Sequence, residues 1–346
     1  MNKNNNIFTY ATGELSQDAF LCWLFSYAMK DADDEPVLKE CAIDFLKLFI
    51  DDIKDGEVWV SEKPIRQHES IDVLLTVNDR YKVIIEDKTG TDEHDNQLNR
   101  YFKIIENEFE DYIPVGVYYK TGFQSDLSTV MNSNYKYIGR KSILSILEKY
   151  ITKTDNLILL SYYENVKHFD DTVNKYKTLP LCDWDWEQIN GFFDFEQKSF
   201  EQNKKINCNY DYINPPAGGG FYGMWLYDSI YREYCGNKYE LYLQCVINNS
   251  KLEILYKISS LCDVKIKGDV RDFFVWKNKD NKWVDIAKEY GFLKPKRYGS
   301  GKTVTLGVYP DTELINDYKS ASEKIDMAVD AFLDLVNALD ELNVGE

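Results

Sequence analysis

Residues 70 to 88 run Ser70-Ile71-Asp72-Val73-Leu74-Leu75-Thr76-Val77, then Asn78-Asp79-Arg80, then Tyr81-Lys82-Val83-Ile84-Ile85-Glu86-Asp87-Lys88. Two apolar arms around an Asn-Asp pair are the pattern of a tight antiparallel hairpin. Asp72 stands at the start of one arm and Glu86 at the end of the other, so their carboxylates lie side by side. Together they can meet one hard cation and leave room for water and a phosphate oxygen, the oxygen-ligand chemistry that Mg²⁺ prefers. Because side chains alternate across a strand, Lys88 falls on the face of Glu86 and Asp87 points away. An ammonium beside a metal-bound water can help make hydroxide and steady an anionic transition state.

The elements around this hairpin follow from periodicity. A helix is expected from Leu15, with Ser16 as N-cap, Gln17 and Asp18 in the first turn, and Phe20, Leu21, Trp23, Leu24, Tyr27 and Ala28 as its apolar stripe. A second spans 36–50, with Pro36 suited to a first turn. Strands are expected over 57–62, 71–77 and 81–86, the third apolar on both sides and therefore central. A helix to about 109, capped by Thr91 or Asp92, then strands 113–119 and 135–138 and a helix 141–150 complete an α/β sheet with mixed strand directions.

The patterning lapses over 176–183, and Pro215-Pro216-Ala217-Gly218-Gly219-Gly220 is the strongest breaker. Beyond it the strand-like runs are 221–227, 239–247, 252–258, 273–275 and 303–309. A final helix from Ser320, with a Ser320-x-x-Glu323 capping box, carries Ile325, Val329, Phe332, Val336 and Leu339 on one face. The organisation expected is a first domain over 1–178 and a β-rich α+β domain over 179–346 ending in that amphipathic helix. The stripe suits packing as a lid, and also a homodimer contact.

An Asp opening a hairpin, followed by Glu-x-Lys closing its second arm, resembles the PD-(D/E)xK nuclease superfamily, here Ile71-Asp72 and Glu86-Asp87-Lys88. Glu14 at the head of the first helix matches an acidic residue that completes the metal site in that superfamily. Gln97-Leu98-Asn99-Arg100-Tyr101 resembles its Gln-x-x-x-Tyr pattern. Glu14-Leu15-Ser16 and the later Gly218-Gly219-Gly220-Phe221-Tyr222-Gly223 are similar to one prokaryotic branch. The likeness covers residues 10 to 150 and departs from the pattern where Ile71 replaces the usual Pro.

The resemblance implies a restriction-endonuclease-like core and metal-dependent hydrolysis of phosphodiester bonds, in DNA first of all, with a role in prokaryotic defence. Glu14, Asp72, Glu86 and the Asp87 backbone carbonyl would bind Mg²⁺, for which Mn²⁺ can substitute. Lys88 would position or activate water, and Gln97 would orient Lys88 or a phosphate. Each piece also has a plain structural reading: a solvated strand edge for Glu-x-Lys, a turn for Asp72, a helix N-terminus for Glu14, helical neighbours for Gln97 and Tyr101. The alternative for the whole is a catalytically silent binding or scaffold protein, or a subunit of a larger nucleic-acid-processing complex.

Other motifs carry less. Gly299-Ser300-Gly301-Lys302-Thr303 imitates the end of a phosphate-binding loop, but Lys296 stands where a Gly is needed and a strand follows. His68, His94 and His168 lack metal-ligand spacing. In Asp183-Trp184-Asp185-Trp186 the two Trp are expected to tuck against a domain junction. Seven scattered cysteines suit a reducing cytoplasm, and neither a signal peptide nor a membrane span is evident.

The chain carries 41 Lys+Arg against 58 Asp+Glu, a net −17 that excludes a protein coating DNA or binding anionic membranes through a broad positive field. Residues 251 to 302, however, hold 13 Lys+Arg and 7 Asp+Glu. Lys294, Lys296, Arg297 and Lys302 are the densest part of this local +6, and are expected to face DNA, although a solvated basic surface is the plainer reading.

Overall fold

The structure, a computed structural model, describes residues 6–343 other than 33, 54–55, 94–95, 205, 215–218, 263 and 280–281. For 227–229, 276–279, 282–284 and 340–343 the backbone alone is described. His94 and the 215–218 part of the breaker thus lie outside the described residues. The chain divides into two compact units, Met1–Asp171 and Thr172–Glu346.

In the first unit the elements run α1 (Glu14–Ser26), α2 (Pro36–Phe49), β1 (Ile65–His68), β2 (Ile71–Val77), β3 (Tyr81–Lys88), α3 (Gln97–Glu108), β4 (Ile113–Lys120), α4 (Ser128–Met131), β5 (Tyr135–Gly139), α5 (Arg140–Leu147) and α6 (Leu157–Val173), whose last two residues fall in the second unit. Among the described residues they build a five-stranded sheet in the order β1-β2-β3-β4-β5. β1, β2 and β3 pair antiparallel, and β3, β4 and β5 pair parallel. Val73, Leu75, Val77, Val83 and Ile85 face α1, α2, α5 and α6, while Leu74 and Ile84 face Leu98, Tyr101 and Ile105 of α3. All eight residues of β3 are buried, as the doubly apolar run demands of a central strand.

The segment 57–62, expected as a strand, forms no ladder. Val60 makes single bridges to Met29 and Val77, its N–H donating to the Ala28 carbonyl at 2.9 Å. Its neighbours bond the other way, Ser61 N–H to the Thr76 carbonyl at 2.8 Å and Trp59 N–H to Asn78 Oδ1 at 2.9 Å. Divided between a helix end and the hairpin, its backbone cannot sustain one register. Asn78 and Asp79 both take left-handed φ, 54° and 51°, a conformation that Asn and Asp tolerate, in the three-residue loop that joins Val77 to its register partner Tyr81.

The second unit contains α7 (Trp186–Asn203), β6 (Cys208–Ile213), β7 (Phe221–Tyr234), β8 (Asn237–Asn248), β9 (Lys251–Ser260), α8 (Gly268–Val275), β10 (Trp276–Lys279), β11 (Lys282–Asp285), α9 (Ile286–Glu289), β12 (Thr303–Val308) and α10 (Tyr318–Asn343). Its main sheet, antiparallel throughout, has the order β12-β9-β8-β7-β6, and β10 with β11 forms a separate hairpin. Phe192, Phe193 and Phe200 of α7 join Ile325, Val329, Phe332, Val336 and Leu339 of α10 in its core. The α10 stripe is therefore covered within its own unit and is not presented to a second copy.

Three local expectations change here. Residues 273–275 end helix α8 instead of forming a strand, because Val270 and Phe274, four apart, bury one helical face. Helix α10 starts before Ser320: Asp317 accepts the N–H groups of Lys319 at 3.0 Å and Ser320 at 3.1 Å, and the Ser320 hydroxyl at 2.7 Å. Trp184 is buried, but Trp186 is 41% exposed at the head of α7, where Asp185 and Gln188 form the capping box.

Candidate active site

Polar groups gather where β2 begins and β3 ends. The register Val73↔Ile85 through Val77↔Tyr81, carried one residue further, sets Asp72 opposite Glu86. Asp72 Oδ2 accepts the Asp87 N–H at 2.9 Å, tying the two strand ends together. Lys88 Nζ donates to Glu86 Oε1, and Glu86 Oε2 is buried without a hydrogen-bond partner. The turn ahead of Asp72 holds Gln67, Glu69 and Ser70 at left-handed φ of 57°, 48° and 72°, a local strain of the kind that clusters at working sites. From it Gln67 Nε2 reaches Asp72 Oδ1 and Asp18 Oδ2, each at 3.4 Å.

Burial pushes the Glu86 carboxyl up to about 8, with Asp72 adding repulsion and Lys88 opposing. Burial works against the charge of Lys88, but Glu86 outweighs it and its pKa rises above the usual 10.5. At neutral pH the pair therefore holds more proton than two exposed side chains would, which is an environment that a cation entering beside Asp72 and Glu86 would relieve.

The opposite face of β3 carries a second polar chain. Asp87 is fully buried; Gln17 Nε2 donates to its Oδ1, and its Oδ2 has no partner. Tyr162 donates to Gln17 Oε1 at 3.0 Å, and the Tyr119 and Tyr162 hydroxyls stand 3.0 Å apart. Burial raises Asp87 well above the ordinary carboxylate range, against the Gln17 hydrogen bond. Asp18, also buried, is pushed up to about 6, first by burial and then by Asp72, with Arg66 opposing.

The structure thus brings Asp72, Glu86 and Lys88 onto one face. The Asp87 side chain is turned to the other. Glu14 is held to the segment just after Lys88, its Oε1 accepting the Thr89 N–H at 2.9 Å and the Thr91 hydroxyl at 2.8 Å. Gln97 donates to the Tyr101 hydroxyl at 3.1 Å, while its buried Oε1 has no partner. Lys294, Lys296, Arg297 and Lys302 belong to the second unit, all exposed, with Lys294 Nζ 5.5 Å from the Tyr298 ring centroid and the Arg271 guanidinium 4.2 Å from it.

Among the described residues no three carboxylates, thiolates or imidazoles are gathered as a ready metal cage. The Asp72–Glu86 pair fits a divalent cation on two grounds, the orphaned buried Oε2 of Glu86 and its raised pKa. From the sequence, Gln17 and Asp18 are expected only as first-turn residues of a helix. Their signal was that two polar residues precede the apolar Phe20-Leu21 pair on a helix that is then covered on that side.

A mixed sheet with helices on both faces, and acidic residues at adjacent ends of its central hairpin, is a restriction-endonuclease-like α/β fold. Residues 5–179 match the sequence profile of the PD-(D/E)XK nuclease superfamily, and the chain belongs to that superfamily. No curated protein and no solved structure matched it. Among the described residues no helix is long and apolar enough to cross a membrane.

Proposed function

We propose that this protein is a Mg²⁺-dependent nuclease that hydrolyses phosphodiester bonds in DNA, in the cytoplasm and in prokaryotic defence. The observation that carries the reading is the grouping of Asp72, Glu86 and Lys88 on one face, with Glu86 Oε2 buried and unpaired. Asp72 and Glu86, joined by Glu14 and the Asp87 backbone carbonyl, would hold the ion, with Mn²⁺ able to substitute. When bound, the ion supplies a more acidic water and charge stabilisation at the phosphate.

The chain's own groups do the rest. Lys88, cationic at neutral pH, donates to the attacking water or a phosphate oxygen and steadies the negative charge that develops. Gln97, anchored on Tyr101, orients Lys88 or the phosphate. The exposed Lys294, Lys296, Arg297 and Lys302 supply the DNA-facing charge that an acidic chain otherwise lacks.

The second reading, a silent fold serving as scaffold or as a subunit of a larger complex, is favoured by one observation: Lys88 already occupies Glu86 Oε1. One experiment separates the two. Plasmid, linear duplex, single strands and RNA are incubated with and without Mg²⁺ or Mn²⁺, beside Asp72→Ala, Glu86→Ala and Lys88→Ala. Metal-dependent cutting of DNA that falls by roughly a hundredfold or more in each variant is expected. A parent that cuts nothing, or variants that cut as well as the parent, would sink the nuclease reading.

A further inference from the structure

Three consecutive residues at the end of β4 grip the segment that leaves β3. Lys120, register partner of Lys88 in the parallel ladder, is fully buried. Its Nζ donates to the Thr91 carbonyl at 2.5 Å and to Asp92 Oδ1 at 3.0 Å. Thr121 N–H donates to the Lys88 carbonyl at 3.1 Å, and the Thr121 hydroxyl donates to Thr89 Oγ1 at 3.4 Å. At Gly122 an added Cβ would stand 1.8 Å from the Thr89 carbonyl oxygen, so the close approach requires glycine. Arg140 backs the grip, its Nη1 donating to the Thr121 carbonyl at 2.8 Å.

The gripped segment is the one that holds Glu14, through the Thr89 N–H and the Thr91 hydroxyl on the same oxygen. An ammonium buried this deeply is costly unless its protons are matched, and a methionine would fill the space without that cost. Burial depresses the Lys120 pKa, with exposed Asp92 opposing. A lysine here is therefore better explained by what its donors hold than by packing.

We propose that Lys120 is a positioning residue for Glu14: by fixing the 89–92 segment it fixes the two donors that aim the Glu14 carboxylate at the metal position. The role rests on the nuclease reading, in which Glu14 helps hold the ion. It makes Lys120 an outer-shell partner, a class whose loss weakens metal affinity about 10- to 100-fold.

Calorimetric Mn²⁺ binding is compared for the full-length parent, Lys120→Met, Thr91→Val, Glu14→Gln and the double variant Lys120→Met/Glu14→Gln, alongside hydrogen exchange in residues 89–92. Lys120→Met should raise the Mn²⁺ Kd about 10-fold and speed exchange in the segment. Thr91→Val, which removes one donor at an exposed residue, should raise Kd in the same direction. The double variant should bind no worse than Glu14→Gln alone, since a residue acting through Glu14 has nothing further to lose.

A folded Lys120→Met protein with parental Kd, or full additivity in the double variant, would overturn the role. If Lys120→Met does not fold, Thr91→Val decides, and a parental Kd there overturns it. A parent that cuts DNA and binds Mn²⁺ while the variants match it defeats the Lys120 role alone. A parent that does neither defeats the nuclease reading and this role with it.

Discussion

Glu86→Gln should remove from the first unit a loss of stability that the parent suffers as pH rises. Glu86 titrates near 8 in the folded protein against an ordinary 4.5. Because its folded pKa is raised, its contribution to stability is fully present below about 4.5 and is lost as pH rises through about 8. Between pH 5.5 and 7.5 that loss amounts to about 2 to 3 kcal/mol, from 1.36 kcal/mol per pKa unit with saturation near the upper end.

Gln fills the same space and carries no charge, so the variant lacks this pH dependence. In the parent Lys88, whose pKa Glu86 raises above 10.5 against burial, stays cationic across the window. Asp18 and Glu196, pushed up to about 6 and about 7, act in both proteins and cancel in the difference. The assay is metal-free urea unfolding from pH 5.5 to 8.5, with hydrogen exchange of the β3 amides assigning the transition to this unit. The parent should lose stability relative to Glu86→Gln as pH rises. Parallel stability curves would refute the inference that Glu86 is buried with a strongly raised pKa, and with it the charge deficit that the proposed cation fills.

Two further outcomes test the second unit. Reversing Lys294, Lys296, Arg297 and Lys302 to Glu should weaken DNA binding and flatten its salt dependence by about 0.9 in log–log slope for each phosphate no longer neutralised, while leaving folding intact because all four are exposed; unchanged affinity would eliminate this face. Asp317→Ala should cost about 1 kcal/mol by uncapping α10, measured by thermal unfolding. A loss on Ser320→Ala with none on Asp317→Ala would restore the capping box at Ser320.

The hairpin was legible because its information is local. Near-continuous apolar residues on both arms, with Asn78-Asp79-Arg80 between them, specify β2 and β3 and the hairpin that pairs them. Once their register holds, the two-residue period puts Asp72, Glu86 and Lys88 on one face without further help. Helices α1 and α2 followed in the same way from their stripes. Residues 57–62 alternate, yet whether they pair depends on what lies beside them, and Ala28 competes with the hairpin for their N–H groups. Helix α7 was not legible, because its capping box, Asp185 with Gln188, is interleaved with Trp184 and Trp186 in a stretch that reads as a junction.

The sequence by itself determined the superfamily pattern, the α/β core and which face of β3 bears Glu86 and Lys88, because each depends on spacing along one or two neighbouring strands. Tertiary structure alone decided that Gln17 meets Asp87 across 70 residues and that Glu14 is held by Thr89 and Thr91. It also decided that Lys120, one strand over from Lys88, grips the same segment. Those interactions join elements far apart in the chain, and burial, which raises Glu86 and Asp87 and depresses Lys120, exists only once the sheet and its helices have closed around them.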